Sequence, residues 1–353
     1  MQELFFELIQ VALGQKESLS KVPSTGEWHE LFALAQKQAV AGIAVDALER
    51  LRTLGVKPPT ELLLQWIGLE QLIEQQNRIV NQRCQEITEL FASNGFRTCI
   101  LKGQGNGRMY PNPLRRTSGD IDIWVEGTRK DIRDFVISRC PDAQDGDMHI
   151  EFPIFNDVPV EVHYKPSFDV RGKYDKRLQE WFTTHAEEQF NNKIDFEGGQ
   201  VCFPTLEFNV VHQMSHIMNH FFVEGIGMRH FVDYYYVLMN TDLTNRADVI
   251  ETIRYLGLEK FSRGVMWIEK DILGVDEDYL LFEPSEKIGK LMLHEMMEGG
   301  NFGHHDQRYG LRKNGLLGRG IVDTYRLLKL FPAFPQESLW KIWNKIENQR
   351  WKI

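Results

Sequence analysis

The chain has 353 residues, and its 42% hydrophobic and 26% charged content excludes both a disordered and a fibrous protein. At about 100–200 residues per domain, this length allows two or three domains with cores of their own. The 41 Lys and Arg against 50 Asp and Glu give a net charge of −9. That balance excludes a general polyanion-binding protein, because such proteins carry an excess of basic residues.

The cysteines and the N-terminus predict a soluble, cytoplasmic protein. The four cysteines are scattered without a C-x-x-C pair, which favours reduced, buried thiols over a disulfide framework or a Cys-rich zinc site. The first seven residues carry acids where a secretory signal would carry Lys or Arg. No uncharged apolar run approaches the ~18 residues that span a bilayer, so no membrane span is expected.

The first 95 residues carry a helical pattern. Apolar residues recur at helical spacing from Leu4 to Ile9 and from Leu31 to Leu48. A long helix is predicted from Thr60, a candidate N-cap after two prolines, to Ala92. Gly95 predicts its end, because glycine supplies the left-handed conformation that helix ends prefer.

The pattern then becomes that of a compact α+β unit. Strands are predicted over 97–101 and 120–125, and a helix over 129–138. Two further strands, 149–155 and 158–164, are joined by two residues that predict a tight hairpin, Asn156 and Asp157.

Beyond Pro204 helical spacing returns, with helices predicted near 205–222, 228–240, 244–256, 258–273 and 284–298. We therefore expect an α+β fold in which a small mixed-sheet core is flanked by N-terminal and C-terminal helical regions. The predicted regions are 1–83, 84–203 and 204–353.

Asp120 and Asp122 are the first candidate site residues. They lie two apart on a predicted strand, so both side chains project from one face while Ile121 and Ile123 point into a core. Two carboxylates this close repel each other unless a cation lies between them, and oxygen-only ligands suit Mg²⁺, with Mn²⁺ as an alternative. The competing interpretation is an exposed strand edge or turn that binds nothing.

A glycine-rich stretch beginning at Gly103 follows the preceding strand. Glycines let backbone N–H groups approach a phosphate closely, and the neighbouring Lys102 adds positive charge. Four cations and no acid lie between this strand and Asp120: Lys102, Arg108, Arg115 and Arg116. Cations beside a metal-binding acid pair suit a triphosphate, although Arg115 and Arg116 are also compatible with a solvated loop pair.

Glu161 is the candidate third carboxylate. It alternates with Val160 and Val162 and shares a strand face with His163. If this strand pairs beside residues 120–125, three carboxylates converge on a two-metal site, in which ions about 3.5–4 Å apart activate an acceptor hydroxyl and stabilise leaving pyrophosphate. The alternative is a surface acid on a half-buried strand.

These motifs together resemble the DNA polymerase beta-type nucleotidyltransferase superfamily, and within it a large bacterial group of uncharacterised nucleotidyltransferases. The matching motifs are Leu101-Lys102-Gly103, Tyr110-Pro111-x-Pro113, Arg116, Asp120-Ile121-Asp122 and Val160-Glu161-Val162-His163. The chain is also similar to nucleotidyltransferase toxins of abortive-infection systems, through its K-G and R-x-S-x-D-x-D motifs.

The resemblance implies catalytic and metal-binding roles for Asp120, Asp122 and Glu161. It also implies that Gly103 lines the nucleotide phosphates, with Lys102, Arg116 and Ser118 as supporting contacts. One departure is the spacing, since Gly103 precedes Asp120 by 17 residues and is followed by Gln104, whereas the superfamily has Gly-Ser or Gly-Gly at a shorter distance.

The function expected from this pattern is Mg²⁺-dependent transfer of an NMP group from an NTP to an acceptor hydroxyl, with release of pyrophosphate. The acceptor is left open among a small molecule, a protein and RNA. The alternatives are a catalytically inactive nucleotide- or partner-binding protein of the same fold, and a toxin-type enzyme that acts on tRNA.

Two further features stay open at this level. His212, His216 and His220 share one helix face, which favours a structural role over contact with the site or a zinc stripe. Residues 303–353 carry a net charge of +6 among several aromatic residues, so the body before them carries −15. This basic segment either docks an anionic partner, such as RNA or a membrane face, or forms amphipathic helices that cover the core.

Overall fold

The computed structural model describes residues 1–301 and 324–350, so much of the predicted basic segment lies outside the described residues. The chain begins with four helices: α1 (Gln2–Leu13), α2 (Thr25–Lys37), α3 (Ala44–Thr53) and α4 (Thr60–Ala92). Helix α2 begins with a capping box between Ser24 and Glu27, which satisfies two backbone N–H groups at its end. The long helix α4 is confirmed, but Pro59 is its N-cap and Thr60 is its first helical residue.

A four-stranded mixed sheet forms the centre of the middle region. Its strands are β1 (Thr98–Ile100), β2 (Ile121–Val125), β3 (His149–Glu151) and β4 (Val160–His163). The order across the sheet is β1-β2-β4-β3, and only the central pair β2–β4 is parallel. The mixed α+β fold with helices at both ends is therefore confirmed.

The hairpin between β3 and β4 is antiparallel as predicted, but its connection is eight residues long rather than two. Pro153 and Pro159 interrupt the ladder because proline has no N–H to donate. One backbone hydrogen bond, from Phe152 N to Val160 O at 2.8 Å, extends the pairing past the end of β3. The strands are consequently shorter than predicted.

Several elements lie around this sheet. The short helix α5 (Gly103–Gly107) follows β1, and α6 (Arg129–Arg139) follows β2 as predicted. Helix α7 (Gly172–Asn191) and the hairpin of β5 (Lys193–Phe196) and β6 (Gly199–Cys202) were not predicted. Three buried residues of α7, Leu178, Phe182 and Phe190, lie on one face at helical spacing. This spacing is the pattern in the sequence that indicates the helix.

The C-terminal region is helical, as expected. Its helices are α8 (Leu206–Val223), α9 (Met228–Asn240), α10 (Arg246–Tyr255), α11 (Glu259–Trp267), which continues into a π-helical turn (Ile268–Ile272), and α12 (Glu286–Gly299). Residues 324–330 are helical, and a further helix spans Pro335–Arg350. No helix among the described residues is long and apolar enough to cross a membrane.

Two hydrophobic clusters hold these elements together. The larger lies among the N-terminal and C-terminal helices, and the smaller lies between the sheet and helices α4 and α6. Helix α4 contributes Val80, Cys84, Ile87 and Phe91 to the smaller cluster. The predicted region boundary at residue 84 thus lies inside one continuous helix that supports the sheet.

Candidate active site

The three predicted carboxylates meet at one end of the central strand pair. Asp120 directly precedes β2, Asp122 lies within it, and Glu161 lies on β4. The parallel register places Asp122 beside Glu161. One carboxylate oxygen from each of the three residues falls within 4.8 Å of the other two.

Alternation along the strands explains why these acids point away from the core. Ile121 and Ile123 on β2, and Val160 and Val162 on β4, are buried in the smaller hydrophobic cluster. The intervening residues must then project from the opposite face of the sheet, because successive side chains of a strand alternate. The alternation predicted from sequence is present on both strands.

Two cationic side chains hold Asp122. Its Oδ1 lies 2.7 Å from Lys102 Nζ and 2.8 Å from His163 Nε2. Burial acts to raise the pKa of Asp122, but Lys102 and His163 outweigh it and hold the pKa far below its usual range. Burial likewise acts to lower the pKa of His163, and hydrogen bonds to Asp122 and Glu161 outweigh it and raise the pKa to about 9.

Asp120 is in a different electrostatic environment. The negative charge of Asp122 is the main cause that raises the pKa of Asp120 to about 6. A raised pKa of this origin means that the carboxylates repel one another and that a cation among them is stabilised. Three convergent oxygen donors fit a hard divalent cation such as Mg²⁺.

The glycine-rich stretch is a one-turn helix rather than an open loop. Gly103 has a φ of +44°, and a Cβ at this position would lie 3.7 Å from Asp120 O, so the stretch begins directly beside the acid pair. At Gly105 a Cβ would lie 3.0 Å from the Phe203 ring, so a larger residue would strain this packing. Gly103 and Lys102 both line the cavity in front of the acids.

Arg116 lines the same cavity, and its guanidinium binds a carboxylate of the C-terminal region. Its guanidinium forms two hydrogen bonds of 2.7 Å to the carboxylate of Asp233 on α9, which also accepts one from Tyr110 at 2.5 Å. Asn77 on α4 donates to Arg116 O at 2.7 Å and fixes the backbone there. Asp233 therefore joins α9 to the α+β region through Arg116.

The other predicted cations are placed elsewhere. Arg115 is bound by Asp46, Glu49 and Glu70 on helices α3 and α4, and Arg108 lies over the Phe203 ring. Ser118 is half-buried beside the cavity but does not line it. Of the predicted phosphate contacts, the structure thus brings Lys102, Gly103 and Arg116 together with the three acids.

A cavity of about 680 Å³ opens in front of the acids. Helices α8 and α9 form its opposite wall, which includes Gln213, His216, Asn219, His220, Arg229 and His230. His212 is fully buried behind this wall and donates from Nε2 to Pro166 O at 3.1 Å. Two of the three histidines on the predicted helix face, His216 and His220, therefore line the candidate site.

Comparison with models of protein families assigns the chain to one family. A family model described as uncharacterised nucleotidyltransferase matches residues 24–274. The chain belongs to this family.

Structural and curated-sequence comparisons add little to that assignment. An antigenic nucleotidyltransferase-like protein from Paracoccidioides brasiliensis is 10% identical, and the match covers 50% of this chain and 86% of that chain at a TM-score of 0.33. A score this low carries no argument. No curated protein matches the chain.

Among the cavity residues that were not predicted in this nucleotidyltransferase family member are two histidines, His149 and His230. His149 lies on β3 directly opposite His163, and the two rings are 5.2 Å apart. His230 lies on α9, and its ring is 6.1 Å from that of His216. The predicted hairpin indicates that β3 and β4 pair, but which residue lies opposite His149 depends on the register of that pairing.

Proposed function

We propose that this protein is a Mg²⁺-dependent nucleotidyltransferase that transfers an NMP group from an NTP to an acceptor hydroxyl and releases pyrophosphate. Membership of the family supports the class of reaction. The observation that carries the proposal is the convergence of Asp120, Asp122 and Glu161 in a cavity that also contains Lys102.

The three carboxylates would hold the divalent cation, with Mn²⁺ as an alternative to Mg²⁺. A divalent cation bound there supplies activation of the acceptor hydroxyl and neutralisation of the charge that develops on pyrophosphate. Lys102 Nζ is 2.7 Å from Asp122 and is close enough to contact phosphate oxygens presented to this cluster. We assign Gly103 and Arg116 as further phosphate contacts, because both line the cavity whereas Ser118 does not.

In the proposed reaction the acceptor oxygen attacks the α-phosphorus of the NTP. The bond between the α-phosphorus and the oxygen that bridges to the β-phosphate breaks, and pyrophosphate leaves with that oxygen. The proton of the acceptor hydroxyl passes to a carboxylate, for which we assign Glu161, because its side chain is 28% exposed whereas Asp122 is 5% exposed and paired with Lys102 and His163. The chain's contribution is to position the two reactants and the charges around them.

Removal of two carboxylates tests the proposal. The protein is incubated with each α-labelled NTP, Mg²⁺ and fractions of a cell extract, and the label in acceptors is counted. We expect the double variant Asp120→Asn and Asp122→Asn to lose at least about 10²-fold in rate, because electrostatic stabilisation at the reacting phosphate is lost. Asp147→Asn, at the rim of the same cavity, is the matched control and should keep its activity. Unchanged transfer by the double variant would refute the assignment.

A catalytically inactive binding protein is the second candidate, and one observation favours it. Asp122 is already paired with Lys102 and His163, so its charge is balanced without a metal ion. Thermal unfolding with Mg²⁺ and each NTP separates the two functions when it is combined with pyrophosphate release. Stabilisation by about 2.7 kcal/mol at 100 times the Kd, without turnover on any acceptor, would favour the binding protein.

The acceptor remains one of three classes: a small molecule, a protein or RNA. A toxin-type enzyme that acts on tRNA would perform the same reaction, so incorporation of label into total RNA tests it directly. The basic C-terminal segment would then guide the RNA, and we expect its loss to reduce incorporation most at low salt, where its electrostatic contribution to RNA binding is largest. Label in the small-molecule or protein fraction alone would exclude this alternative.

A further inference from the structure

We propose that His149, Glu161 and His163 form a second cation position that takes a transition metal such as Zn²⁺, Co²⁺ or Mn²⁺. It shares Glu161 with the carboxylate cluster but has two nitrogen donors, which suit these ions better than Mg²⁺. Two histidines and one glutamate are a known ligand set of catalytic zinc sites that keep a fourth position open.

Two of the three distances between the donor atoms match those around a tetrahedral ion. His149 Nδ1 and His163 Nε2 each lie 3.4 Å from Glu161 Oε2. In a tetrahedron with metal–ligand bonds of about 2.0–2.1 Å, neighbouring ligand atoms are about 3.3–3.4 Å apart. The two nitrogens also lie within 4.8 Å of each other, so a small movement of one ring completes the arrangement.

The orientation of His163 fits a metal ligand. Its Nδ1 lies 3.2 Å from Lys165 O, and a carbonyl oxygen can only accept, so Nδ1 carries the hydrogen. This contact directs Nε2 towards the carboxylates, as in metal sites where the second ring nitrogen donates to the backbone. A metal ion would replace the proton that Nε2 now shares with Asp122 at 2.8 Å.

His149 supplies the second, independent observation. Its Nδ1 is shielded from solvent and has no hydrogen-bond partner among the described residues. A buried polar atom without a partner is uncommon and costs stability unless a ligand satisfies it. The pairing of His149 with His163 across β3 and β4 fixes both rings on one face of the sheet.

An ion can reach this position. The side chains of His149 and Glu161 are 27% and 28% exposed, and all three ligands line the cavity in front of the sheet. Because the three ligands line that cavity, water or a substrate oxygen there would take the fourth position.

Titration of the metal-free full-length protein with Co²⁺ tests the inference, because four-coordinate Co²⁺ gives intense visible absorption bands that six-coordinate Co²⁺ lacks. We expect these bands in the wild type, also with excess Mg²⁺. His149→Ala should abolish them and weaken Co²⁺ binding at least about tenfold. If the alanine variant does not fold, His149→Asn, whose folding is checked by its melting curve, also removes the imidazole ligand and should give the same result. His29→Ala, an exposed histidine on α2, is the control and should behave as the wild type.

The variant Asp120→Asn separates the test of this transition-metal site from the test of the proposed nucleotide transfer. Asp120 belongs to the carboxylate cluster alone, so the variant should keep the Co²⁺ bands whether or not nucleotide transfer is lost. Bands of unchanged intensity and affinity in the folded His149 variants would overturn the inference. So would a wild type that shows only the weak bands of six-coordinate Co²⁺.

Discussion

At the scale of single residues, the buried pair of Arg116 and Asp233 joins the candidate site to the C-terminal region. Arg116 is 4% exposed, and both of its hydrogen bonds to Asp233 are 2.7 Å long. Asp233→Ala would leave a buried guanidinium without its charged partner, so we expect a loss of about 3–5 kcal/mol of unfolding free energy.

Chemical denaturation measures that loss. Asp134→Ala is the control, because Asp134 is exposed on α6 and its ion pairs among the described residues are with the surface cations Lys130 and Arg133. It should change stability by less than about 0.5 kcal/mol. Equal effects of the two substitutions would show that the buried pair does not stabilise the fold.

Glu269 is a second informative residue, because it is fully buried in the π-helical turn. Neither of its carboxylate oxygens has a hydrogen-bond partner among the described residues, and the titratable groups that face it are Tyr234 and Tyr235 on α9. Burial raises the pKa of Glu269 well above its usual value. The folded protein therefore keeps this proton at pH values where the unfolded chain has lost it.

The sign of the pH dependence follows from that difference. Above about pH 4.5 the unfolded state ionises and the folded state does not, so stability falls by up to about 1.4 kcal/mol per pH unit. Glu269→Gln removes this contribution. We expect the variant to gain stability relative to the wild type between pH 5 and pH 7, measured by thermal unfolding at each pH. A difference that does not change with pH would contradict the prediction.

At the scale of elements, the connection between α2 and α3 packs closely against the backbone of the turn that carries Arg115 and Arg116. A Cβ at Gly42, in the connection between α2 and α3, would lie 2.2 Å from Arg115 O. Gly42→Ala must therefore shift backbone, and we expect a loss of about 1–3 kcal/mol.

Gly68→Ala is the matched control for Gly42. Gly68 is exposed within α4, and a Cβ there would meet nothing within 4 Å. Alanine at that position should stabilise the protein by about 0.5–1 kcal/mol, because it favours the helix. Melting temperatures of the two variants should thus move in opposite directions, and movement in the same direction would refute the packing argument.

The same scale explains what could be predicted from the sequence. The positions of Asp120, Asp122 and Glu161 follow from alternation within single strands, which is a local property. The partner of His163 depends on the register of a hairpin. A two-residue turn at Asn156 and Asp157 would place His149 opposite Tyr164, whereas the longer connection places it opposite His163. A shift of one residue reverses the faces of a strand, so this neighbour could not be read from the pattern.

Contacts between elements that are distant in the chain also could not be predicted from local sequence patterns. Arg115 was left open between a triphosphate contact and a solvated loop, and carboxylates on α3 and α4 bind it. Arg116 and Asp233 are separated by 117 residues, and no local spacing indicates that they pair. Helix α7 is a different case, because its buried apolar residues recur at helical spacing and this local pattern is visible in the sequence although the helix was not predicted.

At the scale of the whole molecule, the net charge of −9 conceals an uneven distribution. The first 302 residues carry −15, and Lys102 and Arg116 are cations within that acidic body that line the cavity. Three cations, Lys102, Arg116 and Arg229, line this cavity together with six Asp and Glu side chains, so a bound divalent cation would be needed to offset its negative charge towards an anionic ligand. Helices α8 and α9 close the opposite side, so the cavity is built jointly by the sheet and the C-terminal region.

Paired reactions with α-labelled and γ-labelled NTPs measure most directly whether this cavity transfers a nucleotide. With Mg²⁺ and an extract fraction that contains the acceptor, we expect the α-label in the acceptor and the γ-label in pyrophosphate. Both signals should be lost in Asp122→Asn and kept in Asp147→Asn. Transfer of the γ-label to the acceptor, or its release as free phosphate, would contradict the proposed nucleotidyl transfer.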